Sequence, residues 1–397
     1  MSDDDPKRII ILCPTDAFPP FGHHHSHSAD DIPSVQPPRL PLKRPTRRRR
    51  AKDEPGPPRK KIRKRRWRNR PEVAPPFKLD TIEDLLYIAW NYQGDVFDWF
   101  TLWSMIPALT ELNRLVGMEK LKQGVIDLVV YYLQDLHIRR GPRGNDISDG
   151  DMLHTVLYGP PGTGKTTVAH ILAKLYCKMG FLPTENVVVA KRSDLVGKWI
   201  GHSESKTTEI LNSALGGVLF LDEVYSMGHS EKTDSFAKAA VDLINQFLSE
   251  HKGEMVCIIA GYEKELNECF FSINPGLERR FPWRFTIDSY TPKEMTEMFR
   301  RKVRKEGWNL FEGDSEKPPA VDVEFFTTNA VSFPFFGGDI DNFFTFCKTA
   351  HSRRIFGMKD VTKKLLIRED LERGFGMFTA SQKKEEGIPD AVRSMFL

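Results

Sequence analysis

No apolar run long enough to cross a bilayer occurs in this sequence, and its opening, MSDDDPKRIIILCPTDAFPP, lacks the extended apolar core of a secretory signal. The chain is therefore expected to be soluble and intracellular, with no membrane partner. Cysteine is scarce: Cys13, Cys177, Cys257, Cys269 and Cys347 show no C-x-x-C pairing, which argues against a zinc site or disulfide framework and fits a reducing compartment. No internal repeat is present, which speaks against a solenoid. A lack of apolar residues is not among the deficits. Hydrophobic residues make up 40% of 397, enough for a sizeable core in about two or three structural units.

Charge is present but unevenly placed. Residues 39–70 hold seventeen Lys and Arg against Asp53 and Glu54, so this stretch carries +15 within a chain of net +4 and leaves −11 for the rest. Rich in proline and poor in aliphatics, it cannot offset its ordering entropy by burial and is expected to be a solvated tail. Its two basic clusters, KRPTRRRR and RKKIRKRRWR, resemble a bipartite nuclear-import signal or a polyphosphate-binding arm, with a merely solubilising tail as the plain alternative. The histidines of HHHSH, His23 to His27, could bind a metal ion, but in a disordered leader a functional site is not expected.

Order is expected from near Phe77. In LDTIEDLLYIAWN, Thr81 and Asp84 have capping-box spacing, and Ile82, Leu85, Leu86, Ala89 and Trp90 recur with helical period. GMEKLKQGVIDLVVYYLQDL repeats the pattern through Met118, Leu121, Val125, Leu128 and Tyr132. Both read as packing helices. A strand, MLHTVLY, then leads into GPPGTGKTT, Gly159 to Thr167, which satisfies G-x-x-x-x-G-K-[ST] and opens a helix whose face is Val168, Ile171, Leu172 and Leu175. Glycines at Gly159, Gly162 and Gly164 let main-chain N–H groups turn inward around a polyphosphate, in a loop completed by Pro160, Pro161, Thr163 and Thr167. Lys165 would reach the terminal phosphates and Thr166 would ligate Mg²⁺, so ATP and Mg²⁺ are the expected cofactors.

GGVLFLDEVY supplies the hydrolytic partner: an apolar strand, Val218 to Leu221, ending in Asp222 and Glu223. In a parallel sheet its C-terminal end faces the crevice of the phosphate loop, so Asp222 would hold the Mg²⁺ shell and Glu223 would deprotonate the attacking water. Two surface acids after a core strand are the alternative. Further strands, ENVVVA and EMVCIIAGY, alternate with helical stretches such as DSFAKAAVDLINQFLSEH, which predicts an α/β fold, a parallel sheet with helices on both faces.

Taken together, YGPPGTGKTT, GGVLFLDEVY, VCIIAGYEKEL and NPGLERRFP resemble the AAA+ ATPases, most closely the CbxX/CfqX group that contains red-type Rubisco activases, over roughly Leu112 to Phe378 with a fainter match back to Leu79. LNRLVGMEKLKQ and CKTAHSRRIF are similar to segments of homologues in large DNA viruses, which suggests a viral source. The resemblance implies a P-loop NTPase core at 112–289, a small α-helical lid domain at 290–380, a helical extension at 76–111, a leader at 1–75 and a tail at 381–397. It also implies a homo-oligomeric ring, usually a hexamer, that remodels a protein client. Arg280 then occupies the position of the arginine finger that reaches the next subunit's nucleotide, with Arg279 the weaker candidate and an interface ion pair the alternative. Val116 and Gly117 would lie by the adenine.

Trp199-Ile200-Gly201 matches the family's channel-facing pore loop, where an aromatic can grip an extended polypeptide; the ordinary reading is a tryptophan folded into the core. Lys198 beside it would favour an acidic segment or nucleic acid. Tyr262 stands at the polar sensor position. Where the lid's arginine sensor is expected, FFGGDIDNFF offers Asp339 and Asp341 instead, leaving Arg353 or Arg354 as substitutes or as helix-surface residues. A nucleic-acid motor recruited through residues 39–70, with Trp199 stacking on bases, is the rival reading, and an assembly scaffold with little turnover is a third.

Overall fold

The first helix begins where its capping chemistry places it. The computed structural model describes residues 77–386 apart from residues 93, 95, 138, 141–145, 148–151, 198–201, 228–234 and 360–362. Helix α1, Ile82–Asn91, is started by Thr81, whose Oγ1 accepts the Asp84 N–H at 3.2 Å while the Asp84 carboxylate accepts the Thr81 N–H at 2.9 Å. Its buried face is Ile82, Leu85, Ile88 and Ala89. Helices α2, Trp99–Ser104, and α3, Ile106–Asn113, follow, and then α4, Glu119–Leu133. Glu111 of α3 meets Lys174 of α5, Lys165–Lys178, at 2.6 Å, which ties this helical extension to the helix that follows the phosphate loop.

The central sheet is parallel and five-stranded. Its strands in chain order are β1, Thr155–Tyr158; β2, Val187–Ala190; β3, Val218–Asp222; β4, Val256–Gly261; and β5, Trp283–Thr286; in space they run β2-β3-β4-β1-β5. The strand at Trp283–Thr286 is not announced by its sequence. WRFT lacks the apolar run of the inner strands, because as an edge strand it buries only one face, through Phe285.

Side chains of the inner strands alternate between two cores, as a pleated sheet with covered faces requires. Leu157, Phe220 and Ile258 point to the side packed by Val168 and Leu172 of α5, whereas Val156, Leu219, Leu221 and Ile259 pack with Val241 and Ile244 of α7, Ser235–Glu250. Helix α6, His202–Ser213, adds Leu211 to the second core.

Beyond the sheet lie α8, Pro292–Lys305; α9, Val323–Asn329; α10, Gly337–Ile355; and α11, Arg368–Glu386. Phenylalanines fill their core: the Phe343 ring lies 5.2 Å from Phe299 and 5.5 Å from Phe325, and Phe333 stacks on Phe378 at 5.3 Å. A buried cluster closes the far end, where Arg354 grips Asp370 through two hydrogen bonds of 2.7 and 2.9 Å and His351 Nδ1 lies 3.0 Å from the same carboxylate. This region is not wholly helical. Asn309–Leu310 pairs in parallel with Leu365–Leu366, a contact too short to show in the sequence. Among the described residues no helix is long and apolar enough to cross a membrane.

Candidate nucleotide site

Parallel pairing fixes the edge on which the site forms. Tyr158 lies opposite Gly261 and Asp222 opposite Ala260, so Gly159, Glu223 and Tyr262 all leave the sheet at its C-terminal edge, from adjacent strands β1, β4 and β3. Chain crevices at this edge are where α/β sheets bind ligands.

The loop after β1 is shaped by glycine. Gly162 and Gly164 have φ of 74° and 88°, in the left-handed region where a side chain is strained, and their N–H groups donate to no acceptor among the described residues. Gly164 caps α5, so Lys165, Thr166 and Thr167 form that helix's first turn, where main-chain N–H groups and the helix dipole favour an anion. Lys165 Nζ donates to the carbonyls of Gly159 at 3.0 Å and Pro160 at 2.9 Å, so its charge sits over the loop. Burial pulls the lysine's pKa down, and the charges of Asp222 and Glu223 oppose that. Thr163 Oγ1 donates to the Pro160 carbonyl at 2.8 Å, bracing the loop from within.

Asp222 ends β3. Burial and the adjacent Glu223 charge raise its pKa, while Lys165 and Lys191 work in the other direction. Lys191 directly follows β2, and nothing in the sequence around it marks it apart from that place after a strand. Glu223 has φ of 55°, unusual for a residue with a side chain, and the turn is held by Ser226, whose N–H and hydroxyl both donate to the Glu223 carbonyl at 3.1 and 2.9 Å. The result is an exposed carboxylate next to a half-buried one.

Gly117 lies against residues at the entry to the lid, and Val116 lines a cavity with it beside Ile126 and Arg301. A Cβ on Gly117, whose φ is 63°, would fall 2.3 Å from the Glu294 carboxylate and 3.6 Å from the Tyr290 ring, and Met118 lies beside Gly164. The Tyr290 hydroxyl in turn donates to the Thr163 carbonyl at 3.0 Å. From the lid side, the Gly337 N–H donates to the Gly162 carbonyl at 3.1 Å. Tyr290 and the Phe335–Gly337 turn were invisible in the sequence, because their role is to touch a loop far away in the chain.

Tyr262 follows β4 at the same edge and is 39% exposed; partial burial and the Glu265 charge raise its hydroxyl pKa. Asp339 and Asp341 both have structural partners: Asp339 accepts the Phe335 N–H at 2.6 Å, and Asp341 pairs with Lys302 at 2.9 Å. Arg354 is committed to Asp370, so of the two substitutes only Arg353, exposed on α10, is without such a partner among the described residues. Arg280 lies on the segment before β5, its guanidinium bonded to Ser249 and to the Gly276 carbonyl, while Arg279 is exposed. Trp199, Ile200, Gly201 and Lys198 lie outside the described residues, as do His23 to His27 and the basic stretch at 39–70.

The family described as "ATPase family associated with various cellular activities (AAA)" matches residues 155–289. The chain is 41% identical over 278 residues to a CfxQ-like protein of Acanthamoeba polyphaga mimivirus, covering 70% of this chain and 65% of that one. It thus spans just under two thirds of the viral relative. With a CfxQ homolog of Pyropia yezoensis it shares 30% identity over 269 residues, 66% of this chain and 87% of the relative. A chloroplastic ribulose bisphosphate carboxylase/oxygenase activase of Cyanidioschyzon merolae is 34% identical over 213 residues, 53% of this chain and 68% of the activase. The chain belongs to the AAA ATPase family, in its CfxQ-like group.

Proposed function

We propose that this protein hydrolyses ATP within a ring of identical subunits, most simply a hexamer, and uses the cycle to remodel a protein partner. The observation that carries the reading is the convergence, at the C-terminal edge of the sheet, of the glycine-shaped loop that carries Lys165 with Asp222 and Glu223 at the end of β3. The residues fit a magnesium nucleotide. The N–H groups of Gly162 and Gly164, which donate to no acceptor among the described residues, suit phosphate oxygens, and the half-buried Asp222 carboxylate beside Glu223 suits a cation.

Thr166 and Asp222 would hold the metal, which when bound neutralises charge on the terminal phosphates. Lys165 brings its ammonium to those phosphates, and Val116 and Gly117 border the base. Glu223 takes the proton of the attacking water, and Tyr262 helps to place that water. Arg280 serves the pocket of the neighbouring subunit, stabilising negative charge in the transition state. Trp199, Ile200 and Gly201 would grip the client. A protein client is supported by the relative whose name makes it the activase of an enzyme.

The +15 stretch at 39–70 favours a second reading, an ATPase driven by nucleic acid. Steady-state ATP turnover of the full chain, measured with unfolded protein, DNA or RNA added, separates the two. Stimulation by unfolded protein that is lost in Trp199→Ala supports remodelling; stimulation by DNA or RNA that is lost in the same variant overturns it.

A further inference from the structure

Arg280 is anchored within its own chain in a specific way. The segment that carries it lies against α7, from which Asp242, Asn245 and Ser249 reach it at helical spacing. Asn274 ties the segment down: its Nδ2 donates to Asp242 Oδ1 at 2.8 Å and its Oδ1 accepts the Gly276 N–H at 3.0 Å. Packing is tight at Gly276, where a Cβ would fall 3.1 Å from Asn274 Oδ1 and 3.4 Å from Arg280 Nη1. Ser249 then takes the arginine. Its Oγ accepts from Nε at 2.8 Å and from Nη2 at 2.6 Å, while its own hydrogen goes to the Asn245 carbonyl at 2.9 Å. Nη1 donates to the Gly276 carbonyl at 2.6 Å.

We propose that Ser249 is the positioning residue for Arg280, holding one edge of the guanidinium so that the rest of it faces outward toward a neighbouring subunit's nucleotide. The inference rests on the reading of Arg280 as a residue that acts in trans. With Nε, one hydrogen of Nη1 and one of Nη2 engaged, each terminal nitrogen keeps one N–H for phosphate oxygens. The chemistry of the holder matters as much as its place. A carboxylate here would neutralise the cation that the transition state requires, whereas a hydroxyl and a carbonyl fix its direction and leave its charge intact. Without Ser249 the side chain regains the rotamer freedom of a surface arginine and is seldom in place when the γ-phosphate departs.

The test uses the full chain and four variants. Ser249→Ala should lower kcat for ATP about tenfold with KM changed less than about twofold, because a group that acts in the transition state is misplaced while the variant's own pocket is intact. Ser249→Thr, which keeps the acceptor, should restore kcat. Mixing Ser249→Ala with Glu223→Gln should raise turnover per Ser249→Ala subunit toward the wild-type value, since Glu223→Gln subunits still carry a held Arg280 for their neighbours' pockets. No recovery on mixing, or no rescue by threonine, overturns the proposal. Arg280→Ala distinguishes the failures: if it loses kcat while Ser249→Ala does not, only the role of Ser249 falls; if it keeps wild-type kcat, the role of Arg280 falls as well.

Discussion

The Tyr290 hydroxyl donates to the main-chain oxygen of Thr163 at 3.0 Å, so the chain entering the lid is bonded directly to the phosphate loop. Burial, reinforced by the Glu294 charge, pushes the tyrosine's pKa up to about 12, and it stays a donor at any working pH. Tyr290→Phe removes this bond and little else. Stability to urea should fall by about 1 kcal/mol, and KM for ATP should rise roughly threefold to tenfold as the loop loosens. Unchanged values in both measurements would show that the bond does not couple lid to loop.

Gly162 and Gly180 offer a controlled comparison. Both have positive φ, 74° and 82°, so either alanine variant carries left-handed strain of about 1 kcal/mol. At Gly180 an added methyl meets nothing within 4 Å, whereas at Gly162 it would lie 1.9 Å from the Phe335 carbonyl oxygen. Gly162→Ala must therefore push the lid turn off the loop. Nucleotide binding, followed by fluorescence titration, should weaken at least about tenfold in Gly162→Ala and remain near wild type in Gly180→Ala.

His154 gives the fold a pH dependence of known sign. Its Nδ1 accepts the Cys257 N–H at 3.1 Å, and burial, with the Arg280 charge as a lesser cause, depresses its pKa from 6.5 to about 4. The unfolded chain then binds the extra proton first, so this contribution is full above about pH 6.5 and declines as the pH falls toward 4. The shift corresponds to about 3 kcal/mol. Unfolding free energies of wild type and His154→Gln, compared between pH 7 and pH 4, should converge by roughly that amount as the pH falls. Parallel curves would contradict the assignment.

Much of this architecture could be read from the chain because the signals are local. GPPGTGKTT states its own loop geometry, the VLFL run announces a strand buried on both faces, and Thr81 with Asp84 marks the start of a helix. Residues whose meaning depends on distant partners were silent. Tyr290 matters through Thr163, Ser249 through Arg280 and Lys191 through Asp222. The edge strand Trp283–Thr286 was missed for a related reason, since it buries too little surface to impose an apolar pattern on its sequence. At FFGGDIDNFF the absence of an arginine was plain, but that Asp339 instead pins the Phe335 N–H became evident only from the fold.

Glu223, held at a positive φ beside Asp222, is the base proposed for ATP hydrolysis. Turnover and nucleotide affinity of Glu223→Gln, measured on the same preparation, test it most directly. kcat should fall about a hundredfold to ten-thousandfold with nucleotide still bound at near wild-type affinity. Wild-type turnover in that variant would contradict it.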